Sequence, residues 1–519
     1  MDGYSSSAIL INYLNCLFPD FVKSNVSYII PLGKEHSIAP DRIPEEVKLV
    51  IAPDAGSSDA EQIEELYHRG IDVLCLDHHK QSRVPKHGCI INNQLSPNYP
   101  NKSLCGAGIV YKFCQYLDAL SGKSYADKFL DLTAYAIIAD VMDLRSFENR
   151  RILTKGLQVV NRRNAFFDEL IERQRFPLEK GGYHYGDSIA PEGIGWYIAP
   201  YINSMVRSGT QEEKTLVFEA MLDFKANEMI QSKKRGAADG QLERRVTEAI
   251  RVCMNVKKRQ AKSKDDGSEK IKEKIKQENL SDNKIITVKL KKNEIDRNLS
   301  GLIANKVLDE YNKPVLILTE NEDETGKKVW SGSVRAPENT SIDSFKSFMN
   351  DTELTESNDG HDFAFGTSIA DDKIEDFVKK TNETLKDVEF TPREKEVDFI
   401  YEAAYSSPED VIEIADYKYL WGKGVEEPTV VIENVKVNKN NLFLLSRDKN
   451  PTLKIELPNG ISLIKFKSGQ SEYDKLYSEL GSVTINVLGK CQKNEWNGVV
   501  TPQMIIKDFS IIDRTNYDF

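Results

Sequence analysis

Short runs of apolar residues alternate with stretches of helical character over the first third of the chain. One such helical stretch covers residues 60–68. Strands that are apolar throughout and joined by helices are typical of a parallel sheet covered on both faces. The pattern therefore predicts an α/β domain at the start of the chain. Its candidate strands are residues 26–30, 47–52, 73–76 and 89–91.

The pattern changes at about residue 210, where Glu, Lys, Gln and Ala dominate and strand signals are few. We predict a long connecting helix over residues 210–256, followed at 257–278 by a charged linker that is exposed or partly disordered. The alternative is a solvated helix face without a function of its own. Mixed α/β character then returns, with a strand at 285–290, a helix at 300–311 and a strand at 314–318.

From residue 425 onward, short alternating strands are punctuated by the turn signals PNG at 458–460 and NG at 497–498. This pattern predicts a small all-β barrel or sandwich. Its candidate strands are residues 429–435, 442–445, 453–457, 482–488 and 504–509. The chain as a whole is predicted to have domains at 1–208, 285–392 and 393–519, with the connecting helix and linker at 209–284.

The composition of the 519-residue chain excludes several classes of protein. No apolar run approaches the roughly 20 residues that a membrane-spanning helix needs, and the first residues lack the basic start of a secretory signal. Seven scattered cysteines without a CxxC pair argue against a disulfide framework and against structural zinc. We therefore expect a cytoplasmic protein without a membrane partner.

The net charge of −11 lowers the expectation of a nucleic-acid partner, because phosphate binding needs concentrated Lys and Arg. Net charge is an average over the whole chain, however, and a basic channel can lie within an acidic shell. The acidic balance therefore leaves a DNA partner open.

Four polar residues stand next to a predicted strand end or helix start: Asp2, Asp54, His78 and Asp140. For Asp140, the preceding apolar run at 136–139 is expected to be the strand. Carboxylates combined with imidazole suit hard-to-borderline divalent metals, manganese above all. A carboxylate shared by two ions lets a paired site hold the attacking and leaving oxygens of a phosphoryl displacement. Taken singly, an Asp at a strand end is more often a helix cap, and a His pair is more often on the surface. The four together favour a metal site.

The segments around these residues resemble the motifs of the DHH phosphoesterase family. CLDHH at 75–79 is similar to the motif that names the family, and VIAPDAG at 50–56 and IADV at 138–141 are similar to its second and fourth motifs. DGYSSS at 2–7 resembles the back half of its first motif, D-x-D-G-x-x-S. A bare DHH tripeptide is weak support, but four motifs in order are strong.

Further segments narrow the resemblance to the RecJ-like exonucleases. PYINS at 200–204 is similar to the PRINA motif, with Tyr in place of the usual Arg, and Arg207 keeps the basic residue that follows. The other matching segments are LCGAG at 104–108, ENR at 148–150, LSGLIA at 299–304, WSGSVR at 330–335, DGHDFAFG at 359–366, WGKG at 421–424 and NEWNG at 494–498. The resemblance implies a parallel-sheet DHH domain, a connecting helix, an α/β DHH-associated domain and a C-terminal oligonucleotide-binding (OB) barrel.

The resemblance also implies the roles of individual residues. Asp54 would bridge two manganese ions, with magnesium as the alternative metal, while Asp2, His78 and Asp140 would complete the coordination of one of them. Asp77 would orient the imidazole, and His79 would meet the scissile phosphate, so that Asp77, His78 and His79 form the catalytic set. The nucleic-acid-binding residues would be Arg207, Ser333, Arg335, Gly360, His361 and Trp496.

The activity that the resemblance implies is processive 5′-to-3′ hydrolysis of single-stranded DNA to mononucleotides, in recombination or repair. Helicases or single-strand-binding proteins would be its protein partners. Two alternatives stay open. One is a DHH phosphodiesterase of short oligonucleotides, which a C-terminal strand-binding barrel disfavours. The other is a catalytically impaired single-strand-binding protein of the same fold.

The chain departs from the family in its first motif, whose first Asp would lie one position before Met1. A misassigned start codon, a fragment and natural trimming are three open explanations. We expect the chain as given to be less active and less stable than one extended by its upstream strand. Should it be equally active, Asp59 is the first candidate for a substitute carboxylate.

Overall fold

The computed structural model describes residues 1–31, 37–81, 83–322, 326–338, 340–390, 396–446, 450–496 and 498–516. The chain forms two compact units. The first consists of Met1–Val206, Thr210–Cys253 and Glu396–Phe519, and the second consists of Arg207–Gly209 and Met254–Lys395. Within the described residues, no helix is long and apolar enough to cross a bilayer.

The N-terminal domain contains a parallel three-stranded sheet with helices around it. Neighbouring strands pair in the order of the chain. Because all three strands are parallel, their carboxyl ends lie at the same edge of the sheet. The elements up to the sheet's third strand are α1 (Asp2–Leu17), α2 (Pro19–Asn25), β1 (Leu49–Pro53), α3 (Ala60–His68), β2 (Asp72–Asp77) and β3 (Cys89–Asn92). Predicted strands 47–52, 73–76 and 89–91 and the helix at 60–68 are confirmed.

A largely helical half completes the domain and leads into the long helix α13. Its first elements are α4 (Gly106–Ser121), α5 (Leu130–Ala139), α6 (Phe147–Gly156), α7 (Ala165–Arg173), α8 (Arg175–Lys180), β4 (His184–Tyr185) and β5 (Ser188–Ile189). They are followed by α9 (Pro191–Tyr197), α10 (Ala199–Ser208), α11 (Gln211–Ala220), α12 (Asp223–Ala226), β6 (Met229–Gln231), β7 (Leu242–Arg244) and α13 (Arg245–Gln277).

Two predictions for this domain are wrong. Residues 26–30 form no strand, because the carbonyl of Ile30 accepts hydrogen bonds from the side chains of Arg42 and Gln211 instead of from a neighbouring strand. Asp140 follows a helix, α5, rather than a strand. The first eight residues of α5 are all buried, so the helix carries no polar face and its sequence resembles that of a buried strand.

The predicted linker at 257–278 is also wrong, because α13 continues as a helix to Gln277. Ile271 and Ile275 lie one helical turn apart, and both are fully buried against a core that includes Val288 and Ile303. Gly267 and Ser268 are buried as well, so one face of the helix is anchored although most of its other positions are charged. The predicted helix at 210–256 is interrupted, since the hairpin β6–β7 precedes α13.

The second unit is built on a five-stranded sheet in the order β11-β12-β10-β9-β8, in which only β8 and β9 are parallel. Two apolar cores contain most of its buried apolar side chains. The predicted helix at 300–311 and the strands near 285–290 and 314–318 are confirmed. Its elements are β8 (Ile286–Leu290), α14 (Ser300–Tyr311), β9 (Val315–Glu322), β10 (Lys328–Arg335), α15 (Phe345–Asn350), β11 (Ser357–His361), β12 (Ala364–Ala370) and α16 (Ile374–Thr384).

The C-terminal domain is a seven-stranded sheet in the order β13-β14-β18-β19-β17-β16-β15 around one apolar core. The pairs β13–β14 and β17–β19 are parallel, and the other pairs are antiparallel. All five predicted strands are confirmed in place. The elements are β13 (Phe399–Glu402), α17 (Pro408–Asp416), β14 (Val430–Val437), β15 (Leu442–Leu445), β16 (Thr452–Glu456), β17 (Ser462–Phe466), α18 (Gln470–Leu476), β18 (Gly481–Trp496) and β19 (Val499–Asn516).

Candidate metal centre and phosphate-binding residues

Three carboxylates converge on one imidazole at the carboxyl edge of the parallel sheet. Nε2 of His78 lies 3.2 Å from Oδ1 of Asp54, 3.5 Å from Oδ2 of Asp140 and 3.6 Å from Oδ2 of Asp2. His79 also offers a ligand atom, so two overlapping groups of donors form: Asp54, His78 and His79, and Asp2, His78 and Asp140. Within each group all donor atoms lie within 4.8 Å of one another. The structure thus brings together all four residues predicted to bind metal.

Each acid reaches this point from a different element. Asp54 directly follows β1 with a φ of 60°, and Asp140 directly follows α5. Asp2 is the first residue of α1, and its two carboxylate oxygens accept hydrogen bonds from the backbone amides of Gly106 (2.7 Å) and Ala107 (2.9 Å). Those amides open α4, where the helix dipole favours a negative charge.

The glycine at position 106 is required by the close approach of Asp54. A Cβ atom there would lie only 2.5 Å from Oδ1 of Asp54. Gly106 belongs to the LCGAG segment, so this segment contributes to the centre in two ways. It leaves room for Asp54, and its amides bind Asp2.

Asp77 orients the second imidazole of the motif. Its Oδ1 accepts hydrogen bonds from the backbone amide of His78 and from both the amide and Nδ1 of His79, the last at 2.7 Å. Although burial favours the neutral form, hydrogen bonds from His79 and Ser57 hold the pKa of Asp77 well below its usual range. The ring that Asp77 holds is therefore that of His79, while its contact with His78 is through the backbone.

The three acids repel one another in a site from which water is largely excluded. Burial, followed by the charge of Asp2, raises the pKa of Asp54 to about 7 and that of Asp140 to about 6. Burial lowers the pKa of His78, but the contact with Asp54 and the charges of the acids outweigh it and raise the pKa overall. The hydrogen bond to Asp77 raises the pKa of His79 to about 9, so that this ring carries a proton at neutral pH.

The donor set fits a divalent metal ion. Oδ1 of Asp54 and Nε2 of His78 are buried atoms that make no hydrogen bond, although buried polar atoms are normally paired. A cation between them would give both atoms a partner and would offset the repulsion among the acids. Carboxylate oxygens with one or two imidazoles are the ligands that manganese favours, with magnesium accommodated by the oxygens.

Asp59 lies outside this donor set. Its carboxylate accepts a hydrogen bond from the backbone amide of Ile38 at 2.7 Å, and it belongs to neither donor group. The structure therefore does not place it as a substitute ligand.

The resemblance implied no role for the individual residues of the ENR segment. The amide of Asn149, which is fully buried, donates to the carbonyls of Ser103 and Asp143 and so ties the LCGAG loop to the loop after Asp140. Glu148 accepts hydrogen bonds from Tyr99 and Asn101. The resemblance to the ENR motif identified these residues. It did not identify their hydrogen-bonding partners, which lie elsewhere in the sequence.

A second polar cluster lies in the other unit, at the start of α14. The hydroxyls of Ser300 and Ser333 are 2.8 Å apart, and Nη1 of Arg335 donates to the carbonyl of Val334. A Cβ at Gly301 would lie 2.6 Å from Nη2 of Arg335, so the guanidinium packs against the first turn of the helix. Burial and then the charge of Arg207 lower the pKa of Arg335.

Strand register brings His361 to the same face of the sheet as Arg335. Arg335 pairs with Ala364, and Ala364 pairs with His361, so the two side chains stand two strands apart on one face, at roughly 4.8 Å per strand. Gly360 has a φ of 137°, and a Cβ there would meet the backbone of Phe365 at 2.8 Å. The side chain of Trp496 lies outside the described part of the structure.

Comparison with known families matches three parts of the chain. Residues 1–137 match the DHH family N-terminal domain, residues 282–387 match the DHHA1 domain, and residues 397–508 match the RecJ OB domain. The three matches follow one another along the chain in the order DHH, DHHA1 and RecJ OB.

Individual relatives match over nearly the whole chain. YorK of the SPbeta prophage in Bacillus subtilis (strain 168), whose name describes a single-strand DNA-specific exonuclease, is 36% identical over 512 residues, which cover 99% of this chain and 86% of YorK. The single-stranded-DNA-specific exonuclease RecJ of the same bacterium is 24% identical over 538 residues, which cover all of this chain and 61% of RecJ.

A solved structure shares the fold. The crystal structure of RecJ in complex with Mn²⁺ from Thermus thermophilus matches with a TM-score of 0.71 at 19% identity, over 99% of this chain and 68% of that one. The Mg²⁺ complex of RecJ from the same organism matches with a TM-score of 0.65 at 17% identity, over 98% of this chain and 65% of that one.

Proposed function

Because the chain belongs to the RecJ-like single-strand-DNA-specific exonucleases of the DHH family, we propose that it hydrolyses single-stranded DNA with manganese, or alternatively magnesium, as its metal. We propose further that it degrades the strand from the 5′ end to mononucleotides. The observation that carries the proposal is the convergence of Asp2, Asp54 and Asp140 on Nε2 of His78, within 3.6 Å.

Asp54, His78, Asp140 and Asp2 would hold the metal. A divalent ion in such a site neutralises charge on the phosphate and makes a water molecule acidic enough to attack it. The protein side chains must then hold the metal, exclude bulk water and place the phosphate. Burial of Asp2 and His78 limits access of water to the centre.

His79 is positioned to act on the phosphate itself. Its Nδ1 is engaged by Asp77, and its ring is protonated at neutral pH, so Nε2 is left as a donor. The side chain is 60% exposed, unlike that of His78 at 10%, and is therefore accessible to a substrate. Its role in the proposal is to donate a hydrogen bond to an oxygen of the scissile phosphate and to stabilise the charge that develops there.

The cluster at the start of α14 would hold another phosphate of the strand. Arg335 and Arg207 supply positive charge, Ser300 and Ser333 supply hydroxyls, and the first turn of the helix supplies amides. Guanidinium groups and helix amides are the donors that phosphates favour. His361 and Gly360 extend this surface on the same sheet, and Trp496 would stack on a base in the C-terminal domain.

A nuclease that needs single strands depends on a process that exposes them. We therefore propose a role in recombination or repair in the cytoplasm, beside a helicase or a single-strand-binding protein.

The test of the metal assignment is the Asp54→Ala variant. It should lose manganese-dependent release of nucleotides from a single-stranded oligomer and still bind that oligomer, because it lacks a metal ligand but no phosphate contact. Asp72→Ala is the matched control, since Asp72 is an exposed carboxylate at the opposite end of β2. Near-wild-type cleavage by Asp54→Ala would show that the metal assignment is wrong.

The test of direction uses one oligomer labelled at either end. Digestion from the 5′ end releases a 5′ label at once as a mononucleotide, whereas a 3′ label stays on a shortening strand. The opposite pattern would contradict the proposed direction. Duplex DNA is the control substrate and should be cut far more slowly.

A further inference from the structure

Of the three acids in the metal centre, Asp140 is the least restrained by its own surroundings. Its side chain is 35% exposed, against 6% for Asp2 and 15% for Asp54. The placement of Asp140 depends on the loop that follows it, in which Val141 has a φ of 56°. A β-branched residue keeps this conformation only where the surrounding structure imposes it.

Three of the hydrogen bonds that hold that loop involve Asp143 and Leu144. The amide of Asp143 donates to Oγ of Ser103 at 2.8 Å, and Nδ2 of Asn149 donates to the carbonyl of Asp143 at 2.9 Å. Both partners belong to the N-terminal domain. The third bond runs from the amide of Leu144 to the carbonyl of Lys423, at 2.8 Å, and its acceptor belongs to the C-terminal domain.

Lys423 is part of a segment, residues 418–424, that we name the docking segment. Lys418 is buried, and its Nζ donates to the carbonyl of Gly181 at 2.8 Å. Nη2 of Arg150 donates to the carbonyl of Leu420 at 3.0 Å. The docking segment is thus bound to the N-terminal domain at both ends and in its middle.

The fit between the docking segment and the loop is closest at Gly422. This residue has a φ of 155°, and a Cβ there would lie 2.5 Å from Cδ1 of Leu144. Leu144 is only 3% exposed, so its side chain has little room to move away. The contact therefore requires glycine at this position.

We propose that the docking segment positions Asp140 for metal binding, which makes the C-terminal domain a structural part of the metal centre. This inference rests on the proposed metal site. It assigns Gly422, Lys423 and Arg150 as positioning residues, none of which touches the metal or the substrate. The C-terminal domain then has a role in hydrolysis that is separate from binding DNA.

The test compares Gly422→Ala with Gly460→Ala in the full-length, metal-free protein. Gly460 is in the same domain and has a φ of 90°, but a Cβ there meets nothing within 4 Å, so it reproduces the backbone strain without the contact. Manganese affinity is measured from the electron paramagnetic resonance signal of free Mn²⁺, and hydrogen exchange is followed in residues 141–146. Gly422→Ala should bind manganese about tenfold more weakly, as residues that orient ligands do, and should exchange faster in this loop. Gly460→Ala should change neither property.

A double-mutant cycle distinguishes positioning from a general loss of structure. Asp140→Ala removes the ligand, so adding Gly422→Ala to it should cause no further loss of manganese affinity. Additive losses, or wild-type affinity and exchange in Gly422→Ala, would overturn the inference. If Gly422→Ala does not fold, Arg150→Ala replaces it, and Arg150→Lys should restore part of the lost affinity.

The same measurements separate this inference from the proposed function. If manganese binds wild type and Asp54→Ala equally, the metal site itself is misplaced. If Asp54→Ala loses binding while Gly422→Ala and Arg150→Ala keep it, the metal site stands and the positioning role is refuted.

Discussion

Two regions of the molecule gather like charges, and they do so with opposite sign. The acidic cluster of Asp2, Asp54 and Asp140 lies in the N-terminal domain, and burial together with mutual repulsion raises the pKa values of Asp54 and Asp140. The basic cluster of Arg207 and Arg335 lies in the second unit, where burial and repulsion lower the pKa of Arg335. Each cluster is electrostatically unfavourable until an ion of opposite charge binds.

An ordinary ionic site in the same protein shows the contrast. Arg245 lies between Glu219 and Glu228 and contacts both, so its charge is balanced within the chain. The acidic cluster has more negative charge than His78 alone can balance. Where a fold retains such an imbalance, the unbalanced charge supports the proposal that a metal cation binds at one cluster and a phosphate at the other.

The largest expected effect comes from breaking the acidic cluster. Asp54→Asn should lower the turnover rate more than about a hundredfold, since even residues that only orient metal ligands cost 10–100-fold. At pH 8 it should also stabilise the metal-free protein by about 0.5–2 kcal/mol, because Asp54 is otherwise ionised above its raised pKa. Steady-state kinetics and thermal melting without metal measure the two effects. If the metal-free Asp54→Asn variant were less stable than the metal-free wild type, the inferred repulsion among the three acids would be contradicted.

Breaking the basic cluster should affect binding instead of turnover. Arg335→Ala should weaken binding of single-stranded DNA about tenfold and change the turnover rate little. The slope of the logarithm of affinity against the logarithm of salt concentration should become smaller by about one. The control is Lys328→Ala, in the same strand, whose charge is balanced by Glu320 and Asp371. Fluorescence anisotropy at several salt concentrations measures the effect. Equal losses of affinity in the two variants would show that Arg335 has no special role in DNA binding.

Lowering the pH should weaken ligand binding at the acidic cluster and leave binding at the basic cluster nearly unchanged. Protons compete with manganese for Asp54 and Asp140, whose pKa values are about 7 and about 6, so manganese affinity should fall as the pH drops through this range. The fall should approach about tenfold per pH unit for each proton displaced. Binding of DNA by arginines stays nearly constant over the same range. Calorimetric titrations between pH 5.5 and 8 test this, and a flat manganese affinity would contradict the raised pKa values.

The smallest expected effect concerns the hydroxyl pair in the basic cluster. Ser333→Ala removes the partner of Ser300 and one donor toward a phosphate, so the affinity for single-stranded DNA should fall about two- to fivefold, as for one neutral hydrogen bond. Anisotropy at low salt is sensitive enough to detect it. A loss of affinity as large as that of Arg335→Ala would mean that the hydroxyl makes a charge-assisted hydrogen bond to the phosphate.

Prediction from sequence succeeded where a local signal coincided with the final structure. The helices at 60–68 and 300–311 have the predicted bounds, because each has an amphipathic pattern. Asp54 and Asp77 were placed correctly at the ends of apolar strands. Asp140 was identified by its motif but assigned to the wrong element, since a helix buried on all sides has no period to distinguish it from a strand.

The sequence by itself determined the identity of the acids, imidazoles and arginines and the order of the domains along the chain, because these depend on residue type and local pattern. Tertiary structure alone decided that α13 continues past residue 257 and that Gly422 packs against Leu144. Those outcomes depend on which surfaces of the folded chain meet, and no local propensity encodes the shape of a partner that lies elsewhere in the sequence.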